Sequence, residues 1–486
     1  MVLLETWSMF IAAMKLYEHL YSTISQQIEK GYFQVNQKLP SIRDMSQQHN
    51  VSISTVQEAY RLLEDMGLAI VRPKSGYYVK PTKPHNLIPD VSRPDQKPVK
   101  VDYWDEVLTL TSTESHHNFM AFGRGTPNTQ LSTLKPLRRI HLDTAKHQPQ
   151  VIYHSKIGKG SLFLREQIVR LMLLSGCNLH PEDIVITTGC QEALSLSLKA
   201  LTKPGEIVAV DSPLFYGSVQ AIQSNELKFL EIPTHPETGI SLSALELALE
   251  QWPIKVIQVI STSNNPLGYN MPDENKKKLL RLAAKYDIAI IEDDINGDLV
   301  YQSPRPRTIK SFDTEGRVLL CSSFSKTIAP GFRIGWVAAG QYGKVIEHLK
   351  FITSLTSPTF PQLVIAEFIK QGFYDKHNRA AKHQYQKNRD RMIQAIQQYF
   401  PEGTRMTHPV GGLNLWVALP DNIDTFELNE KLLPFKMGVA PGALFSSSGK
   451  FKNCMRLNYT SSHDEKIEQA IKIIGEQAHL LMKAKP

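Results

Sequence analysis

Ser322-Ser323-Phe324-Ser325-Lys326-Thr327-Ile328-Ala329-Pro330-Gly331-Phe332-Arg333-Ile334-Gly335-Trp336 follows directly on the apolar run Val318–Cys321. A short apolar run of that kind reads as a buried strand, so Lys326 falls just past a strand end and Arg333 seven residues beyond it. Further β-branched runs lie on both sides, at Ile184–Thr188, Ile207–Val210, Val256–Ile260, Ile288–Ile291 and Ile334–Ala338. Segments of helical length, such as Glu192–Leu201 and Asp273–Lys285, separate most of them. Continuous apolar strands alternating with helices predict an α/β domain whose mainly parallel sheet is covered on both faces.

In such sheets ligands collect beyond the carboxyl ends of the strands, and four more motifs are expected there in order. Thr187-Thr188-Gly189-Cys190-Gln191-Glu192 leaves one strand and opens a helix, whose first N–H groups suit a phosphate. Asp211-Ser212-Pro213-Leu214-Phe215-Tyr216-Gly217 brings an aromatic ring to the sheet edge. Asn264-Asn265-Pro266-Leu267-Gly268 turns after another strand, and Ile290-Ile291-Glu292-Asp293-Asp294 ends one in acids. Each motif alone also reads as a plain turn or a core aromatic. Their joint order is the signal.

Together these motifs resemble the fold-type-I pyridoxal-5′-phosphate enzymes of the class I/II aminotransferase group, over roughly residues 118–475. The resemblance implies a mixed seven-stranded sheet and a site at a homodimer interface. It implies that Lys326 forms an imine with the cofactor's aldehyde, which requires an amine able to lose its proton. Asp293 would keep the pyridine nitrogen protonated, making the ring an electron sink. The backbone of Gly189 and Cys190, with Ser323, Ser325 and Arg333, would hold the phosphate. Phe215 would stack on the ring and Asn265 would reach its phenolic oxygen. Tyr153 is similar to the tyrosine that reaches the neighbouring subunit's phosphate. Arg456 resembles the arginine that grips a substrate α-carboxylate, a task suited to its planar fork. Ile295 stands where the group has a tyrosine, and Gly217 where some relatives carry a second arginine.

Upstream the pattern changes. Leu16, Leu20, Ile24 and Ile28 recur every four residues and predict one apolar helix face. Ser41 is placed to cap a short helix reaching about Gln48, and Ser52 to cap another in which Val56, Tyr60 and Leu63 share a face. Ala69–Arg72 and Tyr77–Lys80 read as a hairpin around Lys74-Ser75-Gly76. A helix, a helix-turn-helix and a two-stranded wing would place the N-terminal residues of the last helix in a DNA major groove. The residues nominated for DNA are Ser41, Arg43, Ser52, Ser54, Thr55, Gln57, Arg72 and Lys74. Residues 15–80 resemble the GntR winged-helix domain of bacterial regulators. Ile53 stands where that family usually carries an arginine.

Composition agrees with a two-part chain. The 486 residues are 42% hydrophobic and 21% charged, ordinary values for a folded protein and too many residues for a single typical domain. The net charge is +8, but residues 1–80 are almost neutral, so DNA binding there must rest on placed residues rather than bulk charge. Residues 1–14 are expected to be a leader or helix extension, without signal-peptide features. Four scattered cysteines, with no CxxC pair, fit a reducing cytoplasm and no metal site. Pro81, Pro84, Pro89, Pro94 and Pro98 mark an extended linker, assigned to residues 81–115. The large domain then occupies residues 116–486.

A GntR-type reader, a linker and an aminotransferase-like domain, in that order, resemble the MocR subfamily. The resemblance implies a cytoplasmic, head-to-tail homodimeric transcription regulator. Its partners would be a double-stranded DNA operator and an amino acid or amine effector sensed through pyridoxal 5′-phosphate. An active aminotransferase with a DNA-binding domain and a cofactor-free DNA-binding scaffold are the alternatives.

Overall fold

In the small unit the helices follow from capping and from apolar spacing. The computed structural model describes residues 16–29, 32–34, 36–65, 68–72, 75–80, 88–99, 119–153, 158–446, 448–461 and 465–484. Helix α1 spans Leu16–Glu29, α2 Ile42–Gln48 and α3 Ile53–Asp65. Ser41 Oγ accepts the Asp44 N–H at 3.2 Å and Ser52 Oγ the Thr55 N–H at 3.1 Å, so both predicted caps satisfy an otherwise orphaned donor. Asn50, with φ 51°, makes the turn between α2 and α3. Leu20, Ile24, Ile28, Val56, Tyr60 and Leu63 are buried together. Leu16, expected on that face, is 66% exposed. The wing pairs β1 (Ala69–Arg72) with β2 (Gly76–Val79) antiparallel, one residue earlier than expected on the second strand.

The chain divides into two compact units, residues 1–86 and 87–486. In the larger one, β3 (Ile184–Thr187), β4 (Ile207–Ser212), β5 (Lys228–His235), β6 (Gly239–Ile240), β7 (Ile254–Val259), β8 (Ala289–Asp293), β9 (Val318–Ser323) and β10 (Gly335–Ala338) form one sheet. Its order is β3-β10-β9-β8-β7-β4-β5-β6. Strand β10 runs antiparallel to both its neighbours and β6 antiparallel to β5; the rest are parallel. The sheet thus has eight strands rather than seven, the eighth being a two-residue hairpin arm. Successive residues of β4 feed different cores: Ile207 and Ala209 pack on one face, Val208 and Val210 on the other. That two-sided burial produces continuous apolar runs instead of alternation.

A second antiparallel sheet orders β11 (Arg405–Met406), β12 (Asn414–Ala418), β14 (Cys454–Asn458) and β13 (Ala440–Pro441) as β11-β12-β14-β13. Of the residues assigned to the linker, 88–99 are described, and they are strapped onto the large unit rather than spanning free. Val99 exchanges backbone hydrogen bonds with Phe229 on β5, and Ser92 Oγ accepts the Thr234 N–H at 2.9 Å. Lys450 Nζ donates to the Arg93 carbonyl at 2.7 Å and to Asp95 at 2.8 Å. The segment 1–14, Lys74 and the rest of the linker lie outside the described residues.

Candidate functional site

The carboxyl ends of β3, β4, β8 and β9 converge on one cavity of about 150 Å³. Its lining includes Cys190, Phe215, Asn265, Asp293, Ser323, Ser325, Lys326 and Arg333. Eight of the nominated residues, drawn from five separate motifs, are therefore brought together. Strand β3 delivers Gly189 as the cap of the helix α4 (Cys190–Leu201), and β8 delivers Asp293 as its last residue. Strand β9 ends at Ser323, so Lys326 projects from the turn that follows. Gly189 has φ 90°, and a Cβ there would stand 2.5 Å from an Arg333 guanidinium nitrogen, so both conformation and space require glycine.

Electrostatics set the two ends of the cavity. Lys326 Nζ donates to the Gly125 carbonyl. Burial pushes its pKa down to about 8, with the nearby Arg456 charge acting the same way and Asp293 opposing. Burial pushes the Asp293 carboxyl up to about 6, against the Ile295 N–H at 3.0 Å and the Cys190 thiol at 3.5 Å, which both favour the carboxylate. The Cys190 thiol is itself raised well above its ordinary value by burial and by Asp293, so it remains a donor.

Arg456, on β14, is wholly inaccessible to water. Its Nη1 donates to Asn265 Oδ1 at 3.0 Å, and its Nη2 to the Gly123 carbonyl and, at 3.5 Å, to the Tyr216 hydroxyl. The guanidinium carbon lies 5.1 Å from the Phe445 ring centre and 5.4 Å from that of Tyr216. Its Nε has no partner. A buried guanidinium with an unused donor is built to receive an anion. Gly217 is forced by Phe215: a Cβ would stand 2.4 Å from that ring, so an arginine there would displace the aromatic.

In the cavity lining, the buried Ser325 hydroxyl is also without a partner. It lies with the Arg333 guanidinium and the first turn of α4 on the cavity wall. An unsatisfied hydroxyl, a cation and a helix N-terminus make a phosphate cradle. An amine, a buried carboxyl and this cradle fit the cofactor that the sequence motifs imply. Ile295 lines the cavity and contributes an apolar wall. Tyr153 ends the short helix Gln150–Tyr153, but its side chain lies outside the described residues.

Several residues of the site were given no role from the sequence: Thr188, Glu192 and Tyr216 stand inside the motifs, and Gly123, Gly125, Lys350 and Asn414 outside them. Thr188 is pinned from both sides: Glu192 accepts its N–H at 2.5 Å, and Arg333 donates to its carbonyl at 3.2 Å. Glu192 is in turn bonded by the buried Lys350 at 2.8 Å and by Ser354 at 2.6 Å. Gly123, Gly125, Tyr216 and Asn414 also join the site. The run Gly123-Arg124-Gly125-Thr126-Pro127 is the local signal that marks the two glycines; Lys350 has none.

In the small unit, Arg43 is exposed in the first turn of α2 and Arg72 on the wing, its guanidinium 4.2 Å from the Tyr78 ring centre. Ser41 and Ser52 spend an oxygen lone pair on their caps. Ser54 and Gln57 are exposed on α3, and Thr55 is half-buried.

Residues 122–474 match the family described as aminotransferase class I and II, and residues 16–79 the gntR family of bacterial regulatory proteins. The chain is 45% identical to the uncharacterized HTH-type transcriptional regulator YjiR of Escherichia coli, over 96% of this chain and 100% of that one. It is 35% identical to the HTH-type regulator YdcR of the same organism, over 95% and 99%. Among solved structures, the kynurenine aminotransferase of Pyrococcus horikoshii superposes with a TM-score of 0.71 at 32% identity, covering 79% of this chain and 95% of that one. No described helix is long and apolar enough to cross a membrane. The chain therefore belongs to the class I and II aminotransferase family, in the arrangement, shared with the MocR subfamily, that sets a gntR-family module ahead of the aminotransferase-like domain.

Proposed function

We propose that this chain is a cytoplasmic transcription regulator that binds operator DNA through its small unit and senses an amino compound through pyridoxal phosphate held in its large unit. The observation that carries this reading is the cavity that gathers Cys190, Phe215, Asn265, Asp293, Ser325, Lys326 and Arg333, with the buried Arg456 bonded to Asn265 of its lining. When bound, the cofactor supplies an aldehyde that takes up amines and a ring that withdraws electrons. Lys326 would be the amine that holds it, its pKa pushed down to about 8 by burial. Asp293 would hold a proton at the pyridine nitrogen, its carboxylate oriented by Cys190 and the Ile295 N–H. Asn265, its oxygen engaged by Arg456, would have its NH₂ left to offer the cofactor. Arg456 would orient a ligand carboxylate, and Phe215, on the cavity wall, would pack against the ring.

An amino compound that binds one arrangement of the dimer better than another shifts DNA affinity by that difference. A head-to-tail homodimer, with Tyr153 reaching the partner's phosphate, supplies two winged helices for paired half-sites. The nominated DNA contacts then divide by role. Arg43, Arg72 and Lys74 hold phosphates, while Ser52, Ser54, Thr55 and Gln57 face the groove.

Purified protein titrated with pyridoxal phosphate, then with amino acids and amines, tests the reading. A visible band that shifts with one ligand and stays supports a sensor. A colourless protein refutes cofactor binding. Lys326, Asp293 and Arg456 also form a complete set for transamination, and that second reading requires keto acid to accumulate.

A further inference from the structure

The first turn of α3 carries a run of small hydroxyls, and the structure ties them to one another. Ser52 Oγ accepts the Thr55 N–H at 3.1 Å and lies 2.8 Å from Ser54 Oγ and 2.7 Å from Thr55 Oγ1. A hydroxyl has one proton and two lone pairs, so Ser52 is fully occupied within the turn. The next residue, Ile53, is 50% exposed and takes no part in the core, which Val56, Ala59, Tyr60 and Leu63 supply from the other side of the helix. Gln57 is exposed one turn further along the same side. Arg61, the next position along, lies 3.9 Å from Glu58, a charge opposing it on the same helix. Ser54 and Thr55 each direct one hydroxyl bond back to Ser52, so the exposed side chains of this face that carry no bond within the helix are one branched hydrocarbon and one amide.

These two groups match the edges of A·T pairs. The thymine methyl is the only apolar group that bases present in the major groove, and an amide can both accept from N6 and donate to N7 of adenine. Guanine offers two acceptors that isoleucine leaves unpaired. Residues 53 and 57 are separated by about 6 Å along the helix axis, roughly the rise of two base pairs. We propose that Ile53 and Gln57 are the base-reading pair of this protein and that they select A·T pairs, with Ile53 against a thymine methyl and Gln57 on an adenine. This rests on the DNA-binding reading and adds its sequence preference. Arg43 and Arg72 would fix the register without reading sequence.

The test uses the full-length protein and a random duplex library. The enriched sequence is synthesised with each thymine in turn replaced by uracil, which deletes only the methyl, and each adenine by 7-deazaadenine, which deletes only N7. Affinities are measured for the native protein, Ile53→Ala and Gln57→Ala. Both positions are exposed, and melting curves check that the variants fold. The expected result is one thymine whose methyl is worth roughly tenfold in affinity to the native protein and nothing to Ile53→Ala. One adenine should be coupled in the same way to Gln57. Losses that simply multiply at every thymine, or a half-site read only through G·C pairs, overturn the proposal while leaving DNA binding intact. Failure to enrich any sequence overturns the DNA-binding reading, and this one with it.

Discussion

Arg456 Nη1, wholly buried, donates at 3.0 Å to Oδ1 of Asn265, a residue of the cavity lining. The bond occupies the Asn265 amide oxygen, leaving its nitrogen unused, and holds the guanidinium in place before any carboxylate arrives. Arrival of a carboxylate must therefore be felt at Asn265. Lysine at position 456 keeps the charge but cannot hold Asn265, the Gly123 carbonyl and a ligand in one plane. Arg456→Lys is expected to weaken binding of an amino acid by roughly ten- to a hundredfold, while binding of the corresponding decarboxylated amine, which loses only the hold on Asn265, falls far less. Parallel titrations of the visible band with the two ligands measure this. Equal losses would remove Arg456 from the carboxylate contact.

Lys326 must be neutral to attach the cofactor, and its pKa near 8 places that change close to physiological pH. The rate at which the visible band appears after adding pyridoxal phosphate should rise with pH and level off above about 8. Arg456 is the largest charge holding the lysine's pKa down. Replacing Arg456 by methionine should move the midpoint upward, and stopped-flow absorbance from pH 6.5 to 9.5 reads it. An unchanged or lower midpoint would show that the guanidinium does not act on the amine.

Asp293 loses its proton near pH 6 in the folded chain and, as an ordinary aspartate, near 3.8 when unfolded. Between those values the folded state holds a proton that the unfolded state releases. Its contribution to stability is therefore full below about pH 4 and is lost as pH rises through 6. Asp211 and Asp294, each raised to about 7 by burial, act in the same direction over a wider window. The cofactor-free protein should lose stability from pH 4.5 to 7.5, and Asp293→Asn should flatten that loss by about 2–3 kcal/mol. Urea unfolding across the range checks it. An identical slope in the variant would mean that Asp293 is already ionised in the cofactor-free fold.

What the sequence made legible depends on whether a residue acts locally. Six strands of the main sheet stand out as apolar runs because both faces are covered. Strand β5 does not, because Lys228, Glu231, Pro233, Thr234 and His235 break its run. Glu231 is nonetheless buried, its carboxylate bonded by Ser212 at 2.5 Å and Ser446 at 3.0 Å. The site motifs were readable where a side chain follows a strand end, as with Lys326 and Asp293. Gly125 works through a carbonyl, which any residue has. Lys350 reaches Glu192 across 158 residues of chain, a separation that no local pattern encodes. The linker prolines correctly denied a helix, but docking onto β5 depends on Ser92 and Val99 meeting an edge that only the folded sheet provides.

The Glu192–Lys350 pair gives the last expectation. Lys350 is almost wholly buried and bonded to Glu192, Ser354 and Ser357. Glu192 in turn holds the Thr188 N–H, which fixes the turn that presents the backbone of Gly189 and Cys190. Lys350→Met leaves a carboxylate in low dielectric without its cation and should cost about 3–5 kcal/mol of stability. Adding Glu192→Leu removes that orphaned charge, so the double variant should recover part of the stability. Cofactor affinity should not recover with it, because Thr188 has then lost its acceptor and the phosphate-facing turn its anchor. Urea unfolding and equilibrium titration with pyridoxal phosphate separate the two effects. If affinity returned along with stability, the pair would serve the fold alone and have no part in shaping the phosphate cradle.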